Sequence, residues 1–71
     1  MTKWEFFVLR QAQNSYGETL FFQGNTEKQV ANPGTTEETI LNTFGQHGYE
    51  LVSVMTTRMG DTKYYFKRPV H

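Results

Sequence analysis

Apolar positions in this chain fall into short clusters, and the spacing inside each cluster separates strand from helix. "KWEFFVLR", residues 3–10, is rich in aromatic and β-branched residues and predicts a strand. Alternation puts Trp4, Phe6 and Val8 on one face and Glu5, Phe7 and Leu9 on the other. "QAQNSYGE" supplies turn formers in Asn14, Ser15 and Gly17, and "TLFFQ" predicts a second strand that closes a hairpin. Leu20 and Phe22 share one of its faces and Phe21 takes the other. "GNTEKQVANPG", residues 24–34, is polar and broken by Asn32-Pro33-Gly34. It predicts a mobile surface loop with Val30 as its one large apolar residue.

The period then changes. In "TTEETILNTFGQHG", Ile40, Leu41 and Phe44 form one helical stripe. Thr35 and Glu38 have capping-box spacing, and Glu37 and Glu38 suit the positive end of the helix dipole. Gly48 suits the left-handed position after the last turn. Gly45 falls inside the helix, where a glycine reads either as a fraying last turn or as close approach to a sheet. "YELVSVMTTR" predicts a third strand, "MGD" a tight turn, and "TKYYFKR" a fourth strand stopped by Pro69. The order is β-β-α-β-β. It predicts one α+β domain over residues 1–71, a four-stranded antiparallel sheet with one helix on one face.

That architecture leaves a face to be covered. In "YELVSVM", Tyr49, Leu51 and Met55 share one side with Ser53, while Val52 and Val54 share the other with Glu50. With Leu20, Phe22, Tyr64 and Phe66 taken as the core side, the far side carries Phe7, Leu9, Phe21, Tyr65, Val52 and Val54. Soluble monomers rarely expose an apolar patch beyond a few hundred Å². The expected cover is a second copy of the chain, sheet to sheet, as a homodimer. The alternative is that the loop 24–34 folds over that face.

Composition sharpens this expectation. A domain this small buries only about 60% of its unfolded surface, so oligomerisation, disulfides or a metal commonly assist. There is no cysteine, and only His47 and His71 could supply imidazole. Neither a disulfide nor a structural zinc site is expected, and no cofactor is assigned. Seven basic residues balance seven acidic ones, so no strong field draws nucleic acid or an anionic membrane. No apolar run approaches the ~18 residues of a membrane span, and "MTKWEFFVLR" lacks the length and cleavage site of a signal peptide. A cytoplasmic location is the expectation.

"KWEFFVLR", "LNTFGQHGYELVSV" and "YYFKRP" together resemble a small bacterial and phage domain family of unknown function. Its pattern runs W-E-Y, then L-N-x-x-G-x-x-G-W-E-L-V, then Y-x-F-K-R-P. Trp4, Glu5 and Phe6 match the first piece; Leu41, Asn42, Gly45, Gly48, Glu50, Leu51 and Val52 the second; Tyr64, Phe66, Lys67, Arg68 and Pro69 the third. Tyr49 stands where the pattern has tryptophan, and Phe6 where it has tyrosine. The resemblance implies the small α+β fold and carries no activity.

Candidate chemistry is sparse. His47 at the helix end has Glu50 nearby, yet its expected role is to favour the helix C-terminus. Glu37-Glu38 is accounted for by the helix start, and no P-loop spacing occurs. No catalytic residue is assigned, and the chain reads as a non-enzymatic interaction module. Two other readings remain open. Phe7, Phe21 and Tyr65 could stack unpaired bases, with Lys63, Lys67 and Arg68 near phosphates. Alternatively, a pocket between subunits could take a small molecule beside Tyr16, Arg58 or Arg68.

Overall fold

The computed structural model describes residues 2–70; His71 lies outside them. The elements are β1 (Lys3–Gln13), β2 (Thr19–Gln23), α1 (Glu37–Gln46), β3 (Glu50–Thr56) and β4 (Thr62–Val70). The strands form one antiparallel sheet in the spatial order β2-β1-β4-β3. The expected β-β-α-β-β fold is present. β1 and β4 occupy the centre, and each hairpin carries its other strand to an edge. Pro69 is tolerated inside β4 because it lies past Lys67, the last residue of β4 paired with β3.

The helix starts one residue later than the spacing predicts. Thr36, not Thr35, is the N-cap, and its Oγ1 accepts from the Thr39 amide at 3.2 Å. Thr35 instead turns back to the Asn32 carbonyl at 2.7 Å. With Thr39 at the third helical position, no capping box forms. Glu37 is then free to reach across to the sheet, where it accepts the Tyr64 hydroxyl proton. The helix end is as expected. Gly48 has φ +86°, the Tyr49 amide donates to Phe44 O at 3.0 Å, and the Gly48 amide donates to Gly45 O at 3.0 Å. The Phe44 and Tyr49 rings meet at 5.5 Å and complete this Schellman end. A side chain at Gly45 would meet open space, so the close-approach reading of that glycine does not hold.

Register decides which residues form the core. Phe7 lies opposite Phe66, Leu9 opposite Tyr64, and Gln11 opposite Phe21. Residues directly opposite each other share a face. Phe7, Leu9 and Phe21 therefore sit with Tyr64 and Phe66 under the helix, not on the far side. Leu9 and Phe21 are the two most buried large side chains, each with 0% exposure. Ile40 packs on them, and Phe44 stacks on Phe66 at 4.6 Å and against Phe7 at 4.9 Å. Alternation within each strand is as expected; the link between strands is not. Phe22 is also buried, but on the far side, beneath the Arg10 guanidinium at 4.5 Å from its ring.

The loop 24–34 has a structural role along β2. The Gln23 amide donates to Lys28 O at 2.9 Å and the Val30 amide to Phe21 O at 3.0 Å, with a bridge between Phe22 and Gln29. Residues 28–30 thus run beside β2 as a rudimentary extra strand, and Val30 and Ala31 pack against the core. The loop has more to bury than its polarity predicts, and it seals an edge rather than lying over the far face.

Candidate interaction surface

β3 joins the sheet through β4 alone, and its other edge is unpaired among the described residues. Every residue of the strand is exposed. Leu51 is 43% exposed, Val52 54%, Val54 51% and Met55 53%. The reason is geometric. A helix is only ~10 Å wide, about the span of two to three strands, and α1 lies along the central ones, with first-turn Glu37 bonded to Tyr64 of β4. Its last large side chain, Phe44, rests on Phe7 and Phe66 over the central strands. The chain then drops through Gly48 into β3 with no helix left to cover it.

A register shift between Leu51 and Ser53 adds to this. Val52 has no partner on β4, while Leu51 faces Phe66 and Val54 faces Tyr64. Leu51 and Val54 therefore share the helix side, and Ser53 and Met55 share the far side with Glu50. Strict alternation predicted a different grouping. The bulge spreads the apolar residues over both sides of the strand, so neither side is polar.

The far side of the central strands has its own surface. Phe6 is 69% exposed on β1, Trp4 lies beside it, and the Lys67 ammonium sits 4.2 Å from the Trp4 ring. Tyr65 lies opposite Val8 on the same side. Tyr65 thus takes the expected side, with Trp4 and Phe6 in the places assigned to Phe7 and Phe21. Arg10 holds the flank of this surface. Its Nε and Nη2 donate to Gly24 O and Thr26 O, each at 3.0 Å, and its Nη1 pairs with Asp61 at 3.1 Å. The sequence hints at Arg10 only as a lone charge ending an apolar strand.

The proposed ligand residues do not converge. Tyr16 and Arg58 occupy turns at one end of the sheet, and Arg68 lies opposite Glu5 at the other. Arg68 is also fully engaged. It donates to both Glu5 oxygens at 3.2 Å and to His47 O at 3.0 Å, and it lies over the Tyr49 ring at 4.5 Å. Tyr49 donates to Glu5 at 2.9 Å. The Tyr49 hydrogen bond, followed by Arg68, holds the Glu5 carboxyl below the usual carboxylate range. Burial and the bond to Glu5 push the Tyr49 phenol up. A hollow of about 350 Å³ beside this cluster is lined by Phe7, Ile40, Phe44, Tyr49 and Arg68. The Nδ1 of His47 lies 2.8 Å from Thr43 O, inside its own helix, and among the described residues no carboxylate bonds the ring. Among the described residues, no three histidine or acidic side chains gather as metal ligands.

Comparison with protein-family models, curated proteins and solved structures finds no match to this chain. No helix among the described residues is long and apolar enough to cross a membrane.

Proposed function

We propose that the chain is a non-enzymatic interaction module that works as a homo-oligomer, with a dimer as the basic unit, in the cytoplasm. One observation carries this reading: β3 is unpaired along its edge and half-exposed on both sides through Leu51, Val52, Val54 and Met55. A long apolar edge strand templates pairing with another chain unless something blunts it. The strand carries no proline or lysine and its one charge is Glu50, so the bulge at Val52 is the one blunting device it has. The slab shape agrees. The radius of gyration is 12.6 Å, against roughly 11 Å for a compact chain of this length.

Glu5, Tyr49 and Arg68 meet where β1, β4 and the end of the helix come together. Their mutual hydrogen bonds give the cluster a structural role, tying the helix end to both central strands.

Light scattering at micromolar concentration tests the reading. The expected mass is a multiple of 8.3 kDa, and a well-folded monomer overturns it. A second reading is favoured by the exposed Phe6 on a central strand, next to Trp4 and Lys67. It takes that face as a stacking platform for unpaired bases. Trp4 is the sole tryptophan, so its fluorescence reports the event. Salt-sensitive quenching by single-stranded oligonucleotides is expected on this second reading, and no change in emission rejects it.

A further inference from the structure

We propose that a single-stranded nucleic acid lies along β1 and β4 on the sheet face away from the helix, its bases on Phe6 and Tyr65 and its phosphates on Lys67 and Lys63. This rests on the second reading above and adds the path of the ligand, its phosphate contacts and the one group that opposes it.

Register builds the path. Phe6 lies opposite Lys67, Val8 opposite Tyr65, and Arg10 opposite Lys63. Side chains two apart on a strand share a face, so β4 presents Lys63, Tyr65 and Lys67 in a row on the open side. The two lysines stand ~13 Å apart along the strand, with the Tyr65 ring midway. Phe6 is the diagonal neighbour of Tyr65 across the pair, about 7–8 Å away, so each ring has room for its own base. Phe6 is 69% exposed. The Lys67 ammonium rests 4.2 Å from the Trp4 ring, although Glu50 is its neighbour on β3. It therefore stays on the aromatic surface.

Charge selects the occupant. Seven basic and seven acidic residues cancel only over the whole chain. Glu5 and Glu37 bond to partners on the helix side. Asp61 and Glu27 pair with Arg10. Among the described residues, Lys63 and Lys67 make no ion pair, and Glu50 is the one acid that the strands place on the open face. An apolar partner would leave both ammonium groups unpaired. A duplex keeps its bases stacked on one another. An unpaired strand offers phosphates to the lysines and base faces to the rings, whatever its sequence.

Quenching of Trp4, the sole tryptophan, by short oligo-dT and oligo-rU reads the binding. Both should bind, and a duplex of mixed sequence should not. Two phosphate contacts predict that log affinity falls against log salt with a slope of about −1.4. Lys63→Ala should bring the slope to about −0.7. Phe6→Leu and Tyr65→Leu keep apolar bulk without the flat ring, and each should weaken binding about tenfold. Glu50→Gln should tighten it several-fold, a direction that damage to the fold does not produce. Circular dichroism checks each variant; Lys63→Ala and Glu50→Gln, which remove no packed apolar group, decide the path if a ring variant unfolds. If Phe6→Leu loses binding while Lys63→Ala and Glu50→Gln change neither affinity nor slope, the path is overturned and the stacking reading stands. No quenching by either oligonucleotide, or a duplex that binds as tightly as they do, overturns both.

Discussion

The two edges of this sheet are built in opposite ways. β2 is five residues long, carries two buried phenylalanines and is sealed by the following loop through the Gln23 and Val30 amides. β3 is seven residues long, has no buried residue and, among the described residues, pairs with nothing on its outer side. Both strands are apolar, so the difference is not composition. It is where the single helix lands, and which connection has spare length. The β2–α1 connection runs from Gly24 to Thr36, long enough to double back along β2. The α1–β3 connection, residues 47–49, is one tight turn and has nothing to spare.

The largest expected effect comes from charging each edge in turn. Phe21→Glu places a carboxylate at a fully buried site, at a cost of several kcal/mol. For so small a domain the expected outcome is an unfolded chain by circular dichroism. Met55→Glu should keep the native spectrum and show its effect in mass alone. If Phe21→Glu folds, the assignment of Phe21 to the core is wrong.

Next comes the seal itself. Val30→Ala removes part of a half-buried side chain and should cost about 1 kcal/mol in denaturant unfolding. In hydrogen exchange, the Gln23 and Val30 amides should be protected at every protein concentration. The Val54 and Thr56 amides should gain protection only as concentration rises. Equal behaviour at the two edges would remove the contrast.

Thr36→Ala should cost about 1 kcal/mol through the lost cap, and Thr35→Ala should cost less. Both should weaken the helix-covered half without shifting the dimer constant of correctly folded protein. A larger loss at Thr35 would return the helix start to the residue that spacing alone suggested.

The smallest effect is in pH. Burial and then the bond to Glu37 raise the Tyr64 phenol above its usual range. A raised folded value means stability present below the unfolded value near 10 and lost as pH climbs past it. Tyr64→Phe should therefore flatten the alkaline limb of stability. Glu5 is the opposite case. Its lowered value gives stability present above about pH 4.3 and lost as pH falls through the folded value. Both groups belong to the helix-covered half, so dimer mass should hold steady between roughly pH 6 and 9. A mass that follows the Tyr64 limb would tie the two halves together.

Much of this was legible in the chain. Period-two and helical spacing located every element, and Gly48 marked the helix end because a left-handed residue there has few alternatives. What was not legible is relational. Phe21 and Phe22 are both apolar, and alternation says only that they point apart. Which one meets the helix depends on the β1–β2 register, set by a turn whose length no local pattern reveals. The extra residue at Val52 likewise leaves no mark in "ELVSVMT", since valine suits either side of a strand. The Thr36 cap was missed because two adjacent threonines compete, and the contact that favours the later start, Glu37 with Tyr64, joins residues far apart in sequence. The aromatic far face was anticipated as a surface but populated with the wrong rings.

The turn-back of residues 28–30 along β2 also determines where growth by strand addition ends. A chain with one available edge can join one neighbour; a chain with two can join neighbours without limit. Because the chain closes its own β2 side, a copy added at β3 would exhaust the reactive sites after a single event, and such a product would be finite.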